Sequence, residues 1–102
     1  MTGLDILIIG RSRRTVDTAT EQLRSLGFTA HGVIADDEAV TLLDAREVTT
    51  LLIGGGVQRE SRALLKQRAQ QRGVTVLEAR RAGREIDVYL REEVVPLLRG
   101  RQ

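Results

Sequence analysis

Apolar residues along the chain alternate between two rhythms. Short, nearly continuous runs rich in Ile, Leu and Val fall at residues 4–9 (L-D-I-L-I-I), 28–34, 48–53 and 74–77. Each is followed by a longer segment in which apolar residues recur every three to four positions: Val16, Ala19, Leu23 and Leu26; Ala39, Val40, Leu42 and Leu43; Val57, Ser61, Leu64, Leu65 and Ala69; Ile86, Leu90, Val94 and Leu97. A continuous apolar run suits a strand buried on both faces, and the longer rhythm suits an amphipathic helix. The chain therefore reads as four βα units. Ser12 or Thr15 suits the first helix as an N-cap, and Asp36 and Asp37 suit the second. Gly27, Gly73 and Gly100 stand where helix ends favour a left-handed residue. Pro96 falls inside the last helical pattern and predicts a kink or an early end near Val95.

Such alternation requires parallel strands joined by right-handed crossovers. Four helices cover both faces of the sheet only if the connections reverse direction once, which favours the strand order 2-1-3-4. The expected fold is an α/β three-layer αβα sandwich, flavodoxin-like or Rossmann-like, with all 102 residues in one domain. The reversal falls between strands 1 and 3, where open α/β sheets hold ligands. Gly10, Arg11, Ser12, Arg13 and Arg14 follow strand 1, and Gly54, Gly55 and Gly56 follow strand 3. These eight residues, with Glu78 at the end of strand 4, are the candidate ligand-binding set. The glycines would offer backbone N–H groups, Ser12 a hydroxyl and Arg11 a guanidinium fork, with Arg13 and Arg14 adding positive field. Two glycines suffice for a tight turn, so the third favours close approach by a ligand.

Over most of its length the chain resembles response-regulator receivers and related flavodoxin-like domains: I-L-I-I at the start, a first helix ending L-G-F, and a third strand running into a turn. The resemblance supports the topology. Receiver chemistry would need acids after strand 1, a phosphate-accepting Asp after strand 3, and later a hydroxyl residue and a Lys. Here Gly10 and Arg11 take the first place, Gly54 the second, Glu78 and Ala79 stand where the hydroxyl is due, and no fifth βα unit follows. Acetyl phosphate is therefore expected not to label the protein. The dinucleotide fingerprint G-x-G-x-x-G is met only in its first glycine, since the turn reads G-R-S-R-R-T.

Composition narrows the remaining classes. Cysteine is absent, which excludes disulfides and thiolate metal sites. No apolar run reaches the roughly 20 residues of a membrane helix, and the amino end lacks the basic region of a signal peptide, so a cytoplasmic protein without membrane association is expected. From Gly54 onward eleven basic residues face six acids, yet Phe28 and Tyr89 are the only aromatics, which leaves no platform for stacked bases and disfavours nucleic acid. His31 lies within a strand and reads as structural. Ser12 has no partnered base, and Asp36, Asp37 and Glu38 sit at a helix start where acids suit the dipole, so the residues argue against catalysis and name no cofactor and no metal.

The reading that results is a small binding or regulatory module holding a phosphorylated or carboxylated molecule, a phosphate or nucleotide, at the carboxyl ends of strands 1 and 3. The alternative is a degenerate receiver acting only in protein interaction or dimerisation. A weaker alternative is an enzyme with a nucleotide cofactor. A homodimer is expected through the edge strand 74–77 or through the last helix, which carries Ile86, Val88, Tyr89, Leu90, Val94, Val95, Leu97 and Leu98, more apolar residues than one sheet face needs.

Overall fold

A computed structural model describes residues 5–45, 48–79 and 86–99. The order of elements is β1 (Asp5–Ile9), α1 (Arg13–Ser25), β2 (Thr29–Val33), α2 (Asp36–Ala45), β3 (Thr50–Ile53), α3 (Arg59–Gln71), β4 (Thr75–Glu78) and a last helical stretch made of α4 (Ile86–Tyr89), a π turn (Leu90–Val94) and α5 (Val95–Arg99). The four strands form one parallel sheet in the order β2-β1-β3-β4, an α/β three-layer fold compatible with a flavodoxin-like topology. No helix among the described residues is long and apolar enough to cross a membrane.

The alternation of side chains along β1 builds two cores. Ile6 and Ile8 point to one face with Ala30 and Leu52, beneath Val16, Ala19 and Leu23 of α1 and Leu90, Val94, Val95 and Leu98 of the last helical stretch. Leu7 and Ile9 point to the other with Leu51 and Ile53, against Ala39 and Leu43 of α2 and Leu65 and Ala69 of α3. Ile6, Leu7, Ile9, Leu51 and Ile53 are fully buried, as expected of central strands covered on both sides. Each such side chain contributes on the order of 1.5–3 kcal/mol.

The glycine stops act as the sequence implies. Gly27 (φ 97°) and Gly73 (φ 70°) are left-handed. At each, two amides fold back onto the last turn: Gly27 to the Arg24 carbonyl and Phe28 to that of Leu23, Gly73 to that of Gln70 and Val74 to that of Ala69. These are Schellman motifs, and they turn the chain directly into β2 and β4.

Three expectations are corrected. Helix α3 does not start at the glycines: Val57 closes a turn onto the Gly54 carbonyl, Gln58 is the N-cap, and the helix begins at Arg59. Val57 still packs in the core, but Leu64 is 42% exposed. The strand expected at 74–77 runs Thr75–Glu78, so Glu78 lies within β4. In the last helical stretch the early end expected near Val95 does not occur, and the helix runs on to Arg99 through Pro96. The chain widens into a π turn just before it, and Val95 N–H reaches the Leu90 carbonyl, which places the distortion in the turn the proline ring would otherwise strain. The extra residue rotates the helix surface, so Leu98 and Val95 are buried while Leu97 is 52% exposed. The expected turn over Arg80, Arg81, Ala82 and Gly83, the stop at Gly100, and Leu4 lie outside the described residues.

Candidate functional site

The carboxyl ends of β1 and β3 are drawn together by backbone bonds. Gly54 N–H donates to the Ile9 carbonyl at 2.7 Å, and Gly10 N–H to that of Val33 at 3.3 Å. A Cβ at position 54 would stand 3.2 Å from the Ile9 oxygen and 3.3 Å from Gly10 Cα, and one at position 10 would stand 3.0 Å from Val16 Cγ2. Close passage of the two strand ends and of α1 therefore explains these two glycines. Helix α1 starts beside them: Ser12 is extended, its carbonyl accepts from Val16 N–H, and its hydroxyl accepts from Thr15 N–H at 3.3 Å, the geometry of an N-cap.

Gly55 and Gly56 are different. Neither has a positive φ; among the described residues a Cβ on Gly55 would meet nothing within 4 Å, and one on Gly56 would make ordinary contact with the Arg11 stem at 3.7 Å. Neither backbone conformation nor packing demands glycine at these two positions. Among the described residues no hydrogen bond engages the N–H groups of Gly55, Gly56, Arg13 or Arg14.

A cleft of about 470 Å³ opens between the two turns. Gly10, Arg11, Ser12, Gly54, Gly55 and Gly56 all line it, so six of the nine expected residues share one cavity. Its other walls are Ile8, Ile9, Thr15, Val16, Ala19, Leu52 and Ala79. None of those seven was in the expected set, and their signal was already in the pattern: Val16 and Ala19 are the inward positions of α1, and inward positions at the carboxyl end of a sheet become the floor of whatever opens there. Ala79 is brought in by its N–H, which donates to the Ile53 carbonyl at 2.8 Å.

The expected role of Arg11 is corrected by its contacts. Its guanidinium turns across the edge of the sheet and uses four of its five N–H donors there: Nη1 donates to the Ile34 carbonyl at 2.5 Å, Nη2 to Asp36 Oδ1 at 2.7 Å and Ser61 Oγ at 3.1 Å, and Nε to Gln58 Oε1 at 3.0 Å. Arg11 also lines the cleft, where its Cβ would stand 3.7 Å from a Cβ on Gly56. Asp36, read from the sequence as a helix cap, instead accepts from the Ser61 hydroxyl and from Arg11, and these two bonds hold its carboxyl below the usual carboxylate range. One arginine thus fastens the turn after β1, the turn after β2 and the first turn of α3.

Glu78 lies at the same edge of the sheet but on the other face. It pairs in register with Ile53, on the α2 and α3 side, whereas the next residue, Ala79, faces the cleft. Its carboxylate accepts from Arg62 Nη1 at 2.8 Å and Lys66 Nζ at 3.0 Å, and those bonds, Arg62 foremost, hold its pKa low. Arg62 also donates to the Val57 carbonyl at 3.0 Å, so this group braces the glycine turn from behind. Arg13 and Arg14 are exposed on the first turn of α1 and do not line the cleft.

Among the described residues the cleft therefore offers backbone amides at its rim and an aliphatic floor, with the exposed Arg13 and Arg14 side chains outside it. Among the described residues no group of three or more His, Asp or Glu side chains is placed to hold a metal ion. The chain matches no known protein family, no curated protein and no solved structure.

Proposed function

We propose that the protein is a small non-catalytic binding or regulatory module, receiver-like in plan, that holds a phosphorylated or carboxylated small molecule in the cleft between the β1 and β3 turns. The observation that carries this reading is Gly55, with Gly56 beside it: glycines that neither φ nor packing among the described residues requires, on the wall of a cleft. Amides at the α1 start, the positive end of that helix, and in the glycine turn, which no hydrogen bond engages among the described residues, suit the anionic group. Arg13 and Arg14 would strengthen the local field, while the Arg11 guanidinium is held by Ile34, Asp36, Gln58 and Ser61.

The same geometry supplies the test. Gly55→Leu projects into open space at negative φ, so it should block the cleft without straining the turn, whereas Arg11→Ala removes a structural tie and is the poorer probe. A thermal-shift panel of inorganic phosphate, sugar phosphates, nucleotides, FMN and NADP should show stabilisation by at least one anion. At about 100 times its dissociation constant the ligand adds roughly 2.7 kcal/mol. Gly55→Leu should lose that response while keeping the unliganded Tm. No response to any anion would return both turns to a purely structural role.

The interaction-domain reading draws on β4, a sheet edge whose four residues are half-buried. The last helix supports it less, because Tyr89, Leu90, Val94, Val95 and Leu98 are buried within the protomer. Light scattering at high micromolar concentration distinguishes a β4-edge dimer from an 11.3 kDa monomer.

A further inference from the structure

We infer that the molecule held in this cleft has an aliphatic body, that is, a short-chain alkyl or acyl anion and not a nucleotide. The inference rests on the anion-site reading above and adds the chemistry of the rest of the ligand. Five side chains on the sheet face and on α1 decide it: Ile8, Val16, Ala19, Leu52 and Ala79, all aliphatic. Neither Phe28 nor Tyr89 lines the cleft, so among the described residues no ring is present on which a base or an isoalloxazine could stack.

The polar side chains of the wall are already committed. All three guanidinium nitrogens of Arg11 are spent on Ile34, Asp36, Ser61 and Gln58, and the Ser12 hydroxyl caps α1. Among the described residues the Thr15 hydroxyl and the Ser12 O–H, which the cap leaves free to donate, are what remain to answer a hydrogen-bonding edge. A nucleobase brings several donors and acceptors, and each one left unpaired on an apolar floor weakens binding by about tenfold. A methylene laid on the same floor tightens binding about fourfold. With the anion at the rim amides, the chain follows the groove between α1 and β3 down towards Leu52.

Calorimetric titration of the full chain with inorganic phosphate, butyl, hexyl and octyl phosphate, octanoate and AMP, each below its micelle concentration, tests the assignment. Affinity should rise about fourfold per methylene across the alkyl series until the floor is covered, with AMP no tighter than inorganic phosphate. Octanoate should bind like an alkyl phosphate of similar length. Ala79→Gln, a polar group on the half-buried wall, should flatten the chain-length dependence, and Gly55→Leu should abolish binding of the whole series. AMP binding tighter than butyl phosphate, or affinity independent of chain length, would overturn the aliphatic body and leave the anion site standing. If neither inorganic phosphate nor any alkyl anion or AMP binds, the anion site falls as well. A chain-length series unchanged in Gly55→Leu would place the binding elsewhere and overturn the assignment.

Discussion

Arg11 shows how the contacts of one side chain can lie far along the chain from the turn that carries it. A Gly-Arg-Ser turn at a helix start is what an anion site would use, and the local sequence holds nothing against that. The partners that claim the guanidinium, Ile34, Asp36, Gln58 and Ser61, come from 23 to 50 residues away and meet only in the folded sheet edge. Arg11→Ala should therefore cost stability. Hydrogen bonds to charged groups are worth about 1.5–3 kcal/mol, and partial exposure of the Arg11–Asp36 pair, 27% and 32%, brings the total to roughly 1–3 kcal/mol. Denaturant melts read it directly; an unchanged midpoint would mean that the tie contributes nothing. The same pair, with Glu78, sets an acid limb. Both carboxyls are held below their ordinary pKa, so the unfolded chain binds more protons as pH falls below about 4. The stability they supply is fully present above that range and is lost as pH drops through the lowered values. Asp36→Asn should start less stable at pH 7 and lose less on acidification; midpoint curves that stay parallel from pH 7 to pH 2 would contradict this.

At the scale of elements, the helices were legible where caps and periodicity agreed. α1 keeps its Ser12 cap, its inward Val16, Ala19 and Leu23, and its Gly27 stop, because each of those signals is local. The last helical stretch was legible only up to its proline. A regular helix would bury Leu90, Val94 and Leu97, but the π turn adds a residue and transfers burial to Val95 and Leu98. How the backbone absorbs a proline, by ending, bending or widening, depends on what the following turn can bury, and spacing does not show this. Two substitutions separate the registers. Leu98→Ala should cost about 2–5 kcal/mol as a buried large-to-small change, and Leu97→Ser should stay within about 0.5 kcal/mol. The reverse ranking would restore the regular register. Close packing adds a second test, at Gly32 of β2, where a Cβ would come within 2.6 Å of Val16 Cγ1 and also strike Thr20. Gly32→Ala should destabilise by about 1–3 kcal/mol as α1 is forced off the sheet, and a melt identical to that of the parent would show that α1 does not sit so close.

For the molecule as a whole, four βα units and one reversal of direction were enough to read the sheet order β2-β1-β3-β4 and the meeting of two glycine turns at one edge. The side of that edge was not legible for Glu78, because a strand shifted by one residue sends the same side chain to the opposite face. Nor was the aliphatic floor, whose residues read simply as core until the turns above them are seen to stand apart. The central proposal is that an anion meets the backbone amides of this cleft, and amide NMR reports on those groups directly. Titration with inorganic phosphate should move the amide resonances of Gly55 and Gly56 in the cleft, and of Arg13 and Arg14 at the α1 start beside it, first and farthest, in a saturable way, and should leave them still in Gly55→Leu. Shifts that spread over exposed arginines on α3, such as Arg59, or that leave the four amides unmoved, would contradict a site between the β1 and β3 turns.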